Sequence, residues 1–186
     1  MKKVIAIVAG GDSSEHEVSL RSAAGIESWI DKDLYDVYIV EISRKEWVAH
    51  LPGGELVPVY RHNFSFRDKM GRDIKPDYAY ITIHGTPGED GILQGYFDLL
   101  QIPYSTSNVL VESLTFNKFV LNQFLRGFGV KVAESVLVRE GQLVDPQQIA
   151  DKVGLPCFIK PNAGGSSFGV THCKVLDDVL PAIEKA

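Results

Sequence analysis

The sequence predicts an α/β protein built on a parallel sheet, followed by a smaller α+β unit, and three observations carry that expectation. Residues 4–9, VIAIVA, form a continuous apolar run, the pattern of a strand buried on both faces of a parallel sheet. A helical stretch and a second apolar run at residues 37–42 come next, so the chain begins β-α-β, which favours a right-handed parallel crossover. Residues 157–173, CFIKPNAGGSSFGVTHC, read as strand, glycine- and serine-rich loop, strand, the outline of an antiparallel hairpin.

The elements follow in order. Ser14 and Glu17 match an S-x-x-E capping box that opens a helix running to about Ile30. Residues 46–60 suit a hairpin turned at Pro52-Gly53-Gly54, and residues 78–83 another parallel strand. Residues 91–100 fit a helix with Ile92, Leu93, Tyr96 and Leu99 or Leu100 inward. Residues 109–128 read as helical with an interruption near Thr115. Residues 134–138 and 156–160 read as strands with a short helix between them, and 175–185 as a terminal helix. Pro, Ser, Thr and Asn cluster over residues 103–108, which predicts domains at 1–105 and 106–186.

Composition limits the partners. The chain has 186 residues, 45% of them apolar, enough for one ordinary core or two small ones. A net charge of -5 argues against nucleic acid or a membrane surface as partner. The most basic stretch, residues 61–75, is broken by Asp68 and Asp73 and reads as a solvated loop. No apolar run approaches the roughly 18 residues of a membrane span. The run after Lys2 and Lys3 is too short for a signal peptide and ends in Gly-Gly-Asp. Cys157 and Cys173 are the only cysteines, too few for a disulfide framework and wrongly spaced for zinc, so a cytoplasmic chain is expected. Centring the hairpin at Gly165 sets these two, as thiols, directly across the ladder.

Chemistry concentrates at three places. In the 157–173 hairpin, glycines let backbone N–H groups converge, serines add hydroxyl donors, and Lys160 adds a compact positive charge. Polyphosphate is the natural guest; the alternative is a glycine-rich turn beside a solvated lysine. GxxxxGK[ST] is absent, and the lysine precedes the glycines. The first turn, GGDSSEHEVS, is not GxGxxG, and Asp12, Glu15 and Glu17 would repel a pyrophosphate. With Glu17 in the capping box, Glu15 is left to receive a cation such as a substrate ammonium; the alternative is that it complements the helix dipole. In IHGTPGEDG, His84 follows the 78–83 strand as Gly10 follows the first one, and ligands of open parallel sheets bind at that edge. Glu15 and His84 are therefore expected across one crevice. Gly85, Gly88 and Gly91 permit a tight loop, with Glu89-Asp90 capping the next helix. Lys118, among Phe116, Phe119, Val120 and Phe124, becomes special only if paired with Lys160 in a nucleotide cleft.

Together, AGGDSSEHEVSLRSA, ITIHGTPGEDGILQG, SLTFNK and FIKPNAGGSSFG resemble the D-alanine–D-alanine ligases of the ATP-grasp superfamily, along the whole chain. The first two blocks are specific to that group; the last is shared more loosely. The resemblance implies a Rossmann-like parallel-sheet N-terminal (pre-ATP-grasp) domain followed by the first α+β subdomain of an ATP-grasp fold. It implies that ATP phosphorylates one D-alanine and that the amine of a second attacks the acyl phosphate, giving the dipeptide of peptidoglycan. It also implies ATP and Mg²⁺ as cofactors and a homodimer through the N-terminal domain. By resemblance, Glu15 binds the ammonium of the first D-alanine, Ser19 sits near it, and His84 lines the same pocket. Lys118 and Lys160 contact the nucleotide phosphates. Gly165, Ser166 and Ser167 belong to the loop that closes over them, with Ser166 linked to Glu15 through hydrogen bonds, so that Glu15 and Ser166 are the catalytic candidates.

The family pattern continues past this chain. Its Lys-Tyr loop, its arginine, and the Asp, Glu and Asn that hold two Mg²⁺ ions have no equivalent before Ala186. The chain is thus expected to be an N-terminal portion, inactive alone and without metal ligands. Another ATP-grasp ligase, or a non-catalytic nucleotide-binding module, is the competing reading. The choice between D-alanine and D-lactate as second substrate belongs to the missing part.

Overall fold

The computed structural model describes residues 2–165 and 168–186. They form two compact units, one ending at Ser113 and the other comprising Leu114–Ala186.

In the first unit, β1 (Lys3–Gly10), α1 (His16–Trp29) and β2 (Tyr35–Ile42) form the expected parallel crossover. The hairpin β3 (Trp47–His50) and β4 (Leu56–Pro58) extends the sheet antiparallel, while the short β5 (Phe66–Arg67) and β6 (Asp73–Ile74) pair with each other. Strand β7 (Tyr78–Ile81) lies parallel to β1, giving a five-stranded sheet in the order β4-β3-β2-β1-β7. Residues Ala6 to Ala9 are fully buried because β1 has a neighbour on each side and a core on each face. Ala6 and Val8 enter a core with Val40, Ile81, Leu93 and Phe97. Ile7 and Ala9, pointing the other way, meet Ala23 of α1 and Ile39.

Two expectations about burial need correction in this unit. The 61–75 stretch is more than a solvated loop: Phe66 is fully buried, and Arg67–Asp73 and Arg72–Asp68 pair beside it. The inward face of α2 (Ile92–Leu100) is Leu93, Gln94 and Phe97, flanked by Tyr96 and Leu100. Ile92 and Leu99 are 61% and 85% exposed. Gly91 adopts a left-handed conformation before the helix, and a 3.6-residue repeat through Phe97 leaves Ile92 and Leu99 off the buried stripe. Edge-to-face contacts among Trp47, Phe64, Tyr96 and Phe97 fill the space under α2.

Helix α3 (Val109–Phe116) spans the division between the units, and α4 (Lys118–Gly127) follows it. The interruption expected near Thr115 falls at Asn117, which adopts an extended conformation and whose side chain accepts the Val120 N–H at 3.0 Å. In the second unit, Asp145 caps α5 (Pro146–Val153). Strands β8 (Cys157–Ile159) and β9 (Thr171–Cys173) pair antiparallel with Cys157 opposite Cys173, the register expected from centring on Gly165, and both are free thiols. Residues 134–138 form no strand among the described residues. Val136 and Val138 instead lend side chains to the core around Ile149, Cys173, Val179 and Ala182. The terminal helix α6 (Val179–Lys185) starts later than expected. The Asp178 carboxylate accepts the Lys174 and Val175 N–H groups, closing a 3₁₀ turn over Leu176–Asp178 first.

Candidate functional site

In the first unit, the parallel register brings the ends of β1 and β7 to one sheet edge. Gly10 and Gly11 turn there with φ of 93° and 91°. A Cβ on Gly10 would sit 2.8 Å from the Ile42 carbonyl oxygen, so a side chain is excluded by contact as well as by conformation. The turn after β1 is bonded to the turn after β7. The Asp12 N–H donates to the Thr86 carbonyl at 3.0 Å, and the Ser13 hydroxyl to the His84 carbonyl at 2.8 Å. Glu15, half-buried, and His84, exposed, thus belong to two joined turns at the carboxyl edge.

The capping box is not formed. Glu15 itself occupies the N-cap position without a side-chain cap bond, and Ser14 is exposed. Ser13, whose hydroxyl also accepts the Glu15 N–H at 3.2 Å, takes the local role, because its bond to His84 fixes the turn from across the sheet. Ser19 is fully buried. Its hydroxyl donates to the Thr82 carbonyl at 2.9 Å and accepts the Gly10 N–H at 3.0 Å, so it holds the ends of β1, α1 and β7 together. In the His84 loop, the Glu89 carboxylate accepts the Gly85 N–H at 2.6 Å, and only Asp90 of the expected capping pair reaches the helix, at Ile92 N.

Lys118, Lys160 and Gly165 come together in the second unit. They line a cleft of about 320 Å³ with Gly164, Phe158 and Phe168, near the lower end of ligand-pocket sizes. Lys118 opens α4, and its ammonium donates to the Gly164 carbonyl. Asn162 stitches the same leg of the loop to that helix. Its side-chain oxygen accepts the Phe119 N–H at 2.9 Å, and its amide donates to the Asn117 side chain at 2.9 Å. Lys160 is exposed at the rim. Two ammonium groups over a glycine turn, with aromatic walls, suit a phosphate attached to a flat base. Ser166 and Ser167 lie outside the described residues. Among the described residues, no group of three or more His, Cys, Asp or Glu could hold a metal ion.

Reading the sequence missed two sets of residues. Gln94 is fully buried and donates to the Gly88 carbonyl at 2.7 Å and the Thr106 hydroxyl at 2.9 Å, bracing the His84 loop. His16, Glu41 and His50 meet beside the first turn. The β1/β2 register, which pairs Ala9 with Glu41, was the available signal for that cluster.

A parallel-sheet domain leading into an α+β unit whose glycine hairpin is flanked by lysines is the arrangement of the ATP-grasp ligases. Comparison with known proteins narrows the class. The family profile described as D-ala D-ala ligase N-terminus matches residues 4–107, and the corresponding C-terminus profile matches residues 124–186. The chain belongs to the D-alanine–D-alanine ligase family. It is 61% identical over all 186 residues to a D-alanine--D-alanine ligase of Phocaeicola vulgatus and 57% identical to one of Bacteroides fragilis, covering 57% of each. Among solved structures, D-alanyl-alanine synthetase A from Vibrio cholerae superposes with a TM-score of 0.83 at 27% identity, over 100% of this chain and 56% of that one. The VanG D-Ala:D-Ser ligase from Enterococcus faecalis superposes with a TM-score of 0.82 at 32% identity, over 100% and 60%. The chain therefore spans little more than half the length of these relatives.

Proposed function

We propose that these 186 residues are the part of an ATP-dependent D-alanine–D-alanine ligase that binds the first amino acid and one side of the nucleotide. The observation that carries this reading is the cleft in which Lys118 and Lys160 flank Gly164 and Gly165, on a chain 61% identical throughout to such a ligase. In the proposed reaction, ATP phosphorylates the carboxylate of one D-alanine, and the amine of a second displaces phosphate. Glu15 takes the ammonium of the first D-alanine and His84 lines its pocket, both from the joined turns at the sheet edge. Ser19 acts by shaping that edge, since its hydroxyl is already committed to Thr82 and Gly10. Lys118, Lys160 and Gly165 hold phosphate oxygens; by family resemblance alone, Ser166 and Ser167 also serve the nucleotide, and Glu15 and Ser166 are the catalytic residues.

The proposal assigns residues 1–105 to the pre-ATP-grasp domain and 106–186 to the first ATP-grasp subdomain. Mg²⁺ belongs to the chemistry, but the described residues do not fit a metal, so no step through it is assigned to them. Among the described residues, no helix is long and apolar enough to cross a membrane. The net charge of -5 argues against nucleic-acid and membrane-surface partners, and the family resemblance carries the reading of a cytoplasmic enzyme that pairs through its N-terminal domain. The test is phosphate release from ATP by a full-length protein carrying these residues. Release that depends on D-alanine and yields the dipeptide is expected; release indifferent to D-alanine would overturn the proposal.

A further inference from the structure

The first turn is gripped from the side by His16, the end of a chain of three titratable groups on three elements. His16, the first residue of α1, places Nδ1 2.9 Å from the Gly11 carbonyl oxygen and Nε2 3.2 Å from one carboxylate oxygen of Glu41 on β2. The other Glu41 oxygen lies 3.1 Å from Nε2 of His50 on β3. All three side chains are about one-quarter to one-third exposed, at 28%, 26% and 34%. The ring also packs against the turn, since a Cβ on Gly10 would lie 3.0 Å from His16 Cε1.

Both ring nitrogens of His16 face acceptors. A neutral imidazole carries one N–H and one lone pair, so it satisfies one contact and presents a lone pair to the other. The imidazolium donates to both. The Gly11 carbonyl, Glu41 and Glu17 all favour that charged form, with the Gly11 hydrogen bond contributing most and partial burial opposing it, and the His16 pKa is raised. His50 competes for the same carboxylate from β3, and the Asp12–Arg44 pair, at 3.3 Å, holds the far side of the turn.

We propose that His16, held by Glu41, is a positioning residue that fixes the β1–α1 turn so that Glu15 can receive the substrate ammonium. This rests on the reading of Glu15 given above. A histidine whose folded-state pKa is raised exerts its grip below that pKa and loses it as pH rises through it. The amino-acid KM is therefore expected to climb across the His16 titration, with kcat changing less.

Two measurements test this. NMR titration of the 186-residue chain follows the His16 ring and the Gly10, Gly11 and Glu15 amides. The amides are expected to shift with the His16 midpoint, and Glu41→Gln to lower that midpoint; amides indifferent to it overturn the proposal. In the full-length ligase, Glu41→Gln and His16→Gln should raise the D-alanine KM about tenfold, the worth of one charge-assisted hydrogen bond. His16→Arg, a fixed cation with several donors, should keep KM low and flatten its pH dependence. An unchanged KM in E41Q and H16Q, where Glu15→Gln raises it, overturns the positioning role. An unchanged KM in E15Q overturns the Glu15 reading instead, and the NMR titration still decides whether the turn follows His16.

Discussion

Ser19 donates its hydroxyl proton to the carbonyl of Thr82, a residue 63 positions away, and both lie at the edge where the parallel strands end. The same oxygen accepts the Gly10 N–H, so removing it strands a buried donor. Ser19→Ala is expected to destabilise the fold by about 1–3 kcal/mol. Urea unfolding of the variant measures this; an unchanged midpoint would show that the strand ends do not depend on the hydroxyl.

The cleft lysines should act through charge. Lys160→Ala is expected to weaken ATP binding about tenfold at low salt, and the deficit should shrink as salt rises. Calorimetric titration at two ionic strengths checks both statements. Equal affinity of variant and native chain at low salt would remove Lys160 from the site.

Tyr96 gives a pH signature. Burial pushes its phenol up to about 12, and its hydroxyl donates to the Arg61 carbonyl at 2.7 Å. An unfolded tyrosine ionises at about 10, so above that pH the unfolded chain binds fewer protons than the folded one, and stability falls as pH rises. Tyr96→Phe should flatten that alkaline decline, measured as denaturation midpoints against pH. A decline of unchanged slope would mean that other groups govern it.

A polypeptide of these 186 residues, spanning 57% of its Phocaeicola vulgatus relative, should bind nucleotide but release no ADP above background with ATP, Mg²⁺ and D-alanine. Turnover within about tenfold of the full-length ligase, a barrier difference of only about 1.4 kcal/mol, would locate the chemistry in this portion.

What the sequence revealed depended on range. The β1 run, the β3–β4 turn and the Cys157–Cys173 register are written in local pattern and symmetry, and they appear as expected. The helix starts were harder, because capping is a competition. Ser14 has the spacing to cap α1, but Ser13 governs the turn through a bond to a carbonyl 71 residues away. Residues 134–138 have strand composition, but a strand also needs a neighbouring ladder, which composition does not encode. For the candidate site, the grouping of Lys160 with the glycines is local and legible, whereas the contact of His16 with Glu41 arises only when the parallel register sets the two side by side.

The bond from Lys118 to Gly164 changes how the cleft meets an anion. A solvated lysine gives up roughly 1.5–2 kcal/mol of side-chain freedom when it is immobilised on a ligand. In this cleft the protein's own carbonyl has already imposed much of that order, and Asn162 has anchored the loop that carries it. On the proposed reading, a phosphate would replace the Gly164 carbonyl as the acceptor of the Lys118 ammonium. The entropic cost of aiming the ammonium is thus met during folding, leaving more of the Coulomb attraction to appear as affinity.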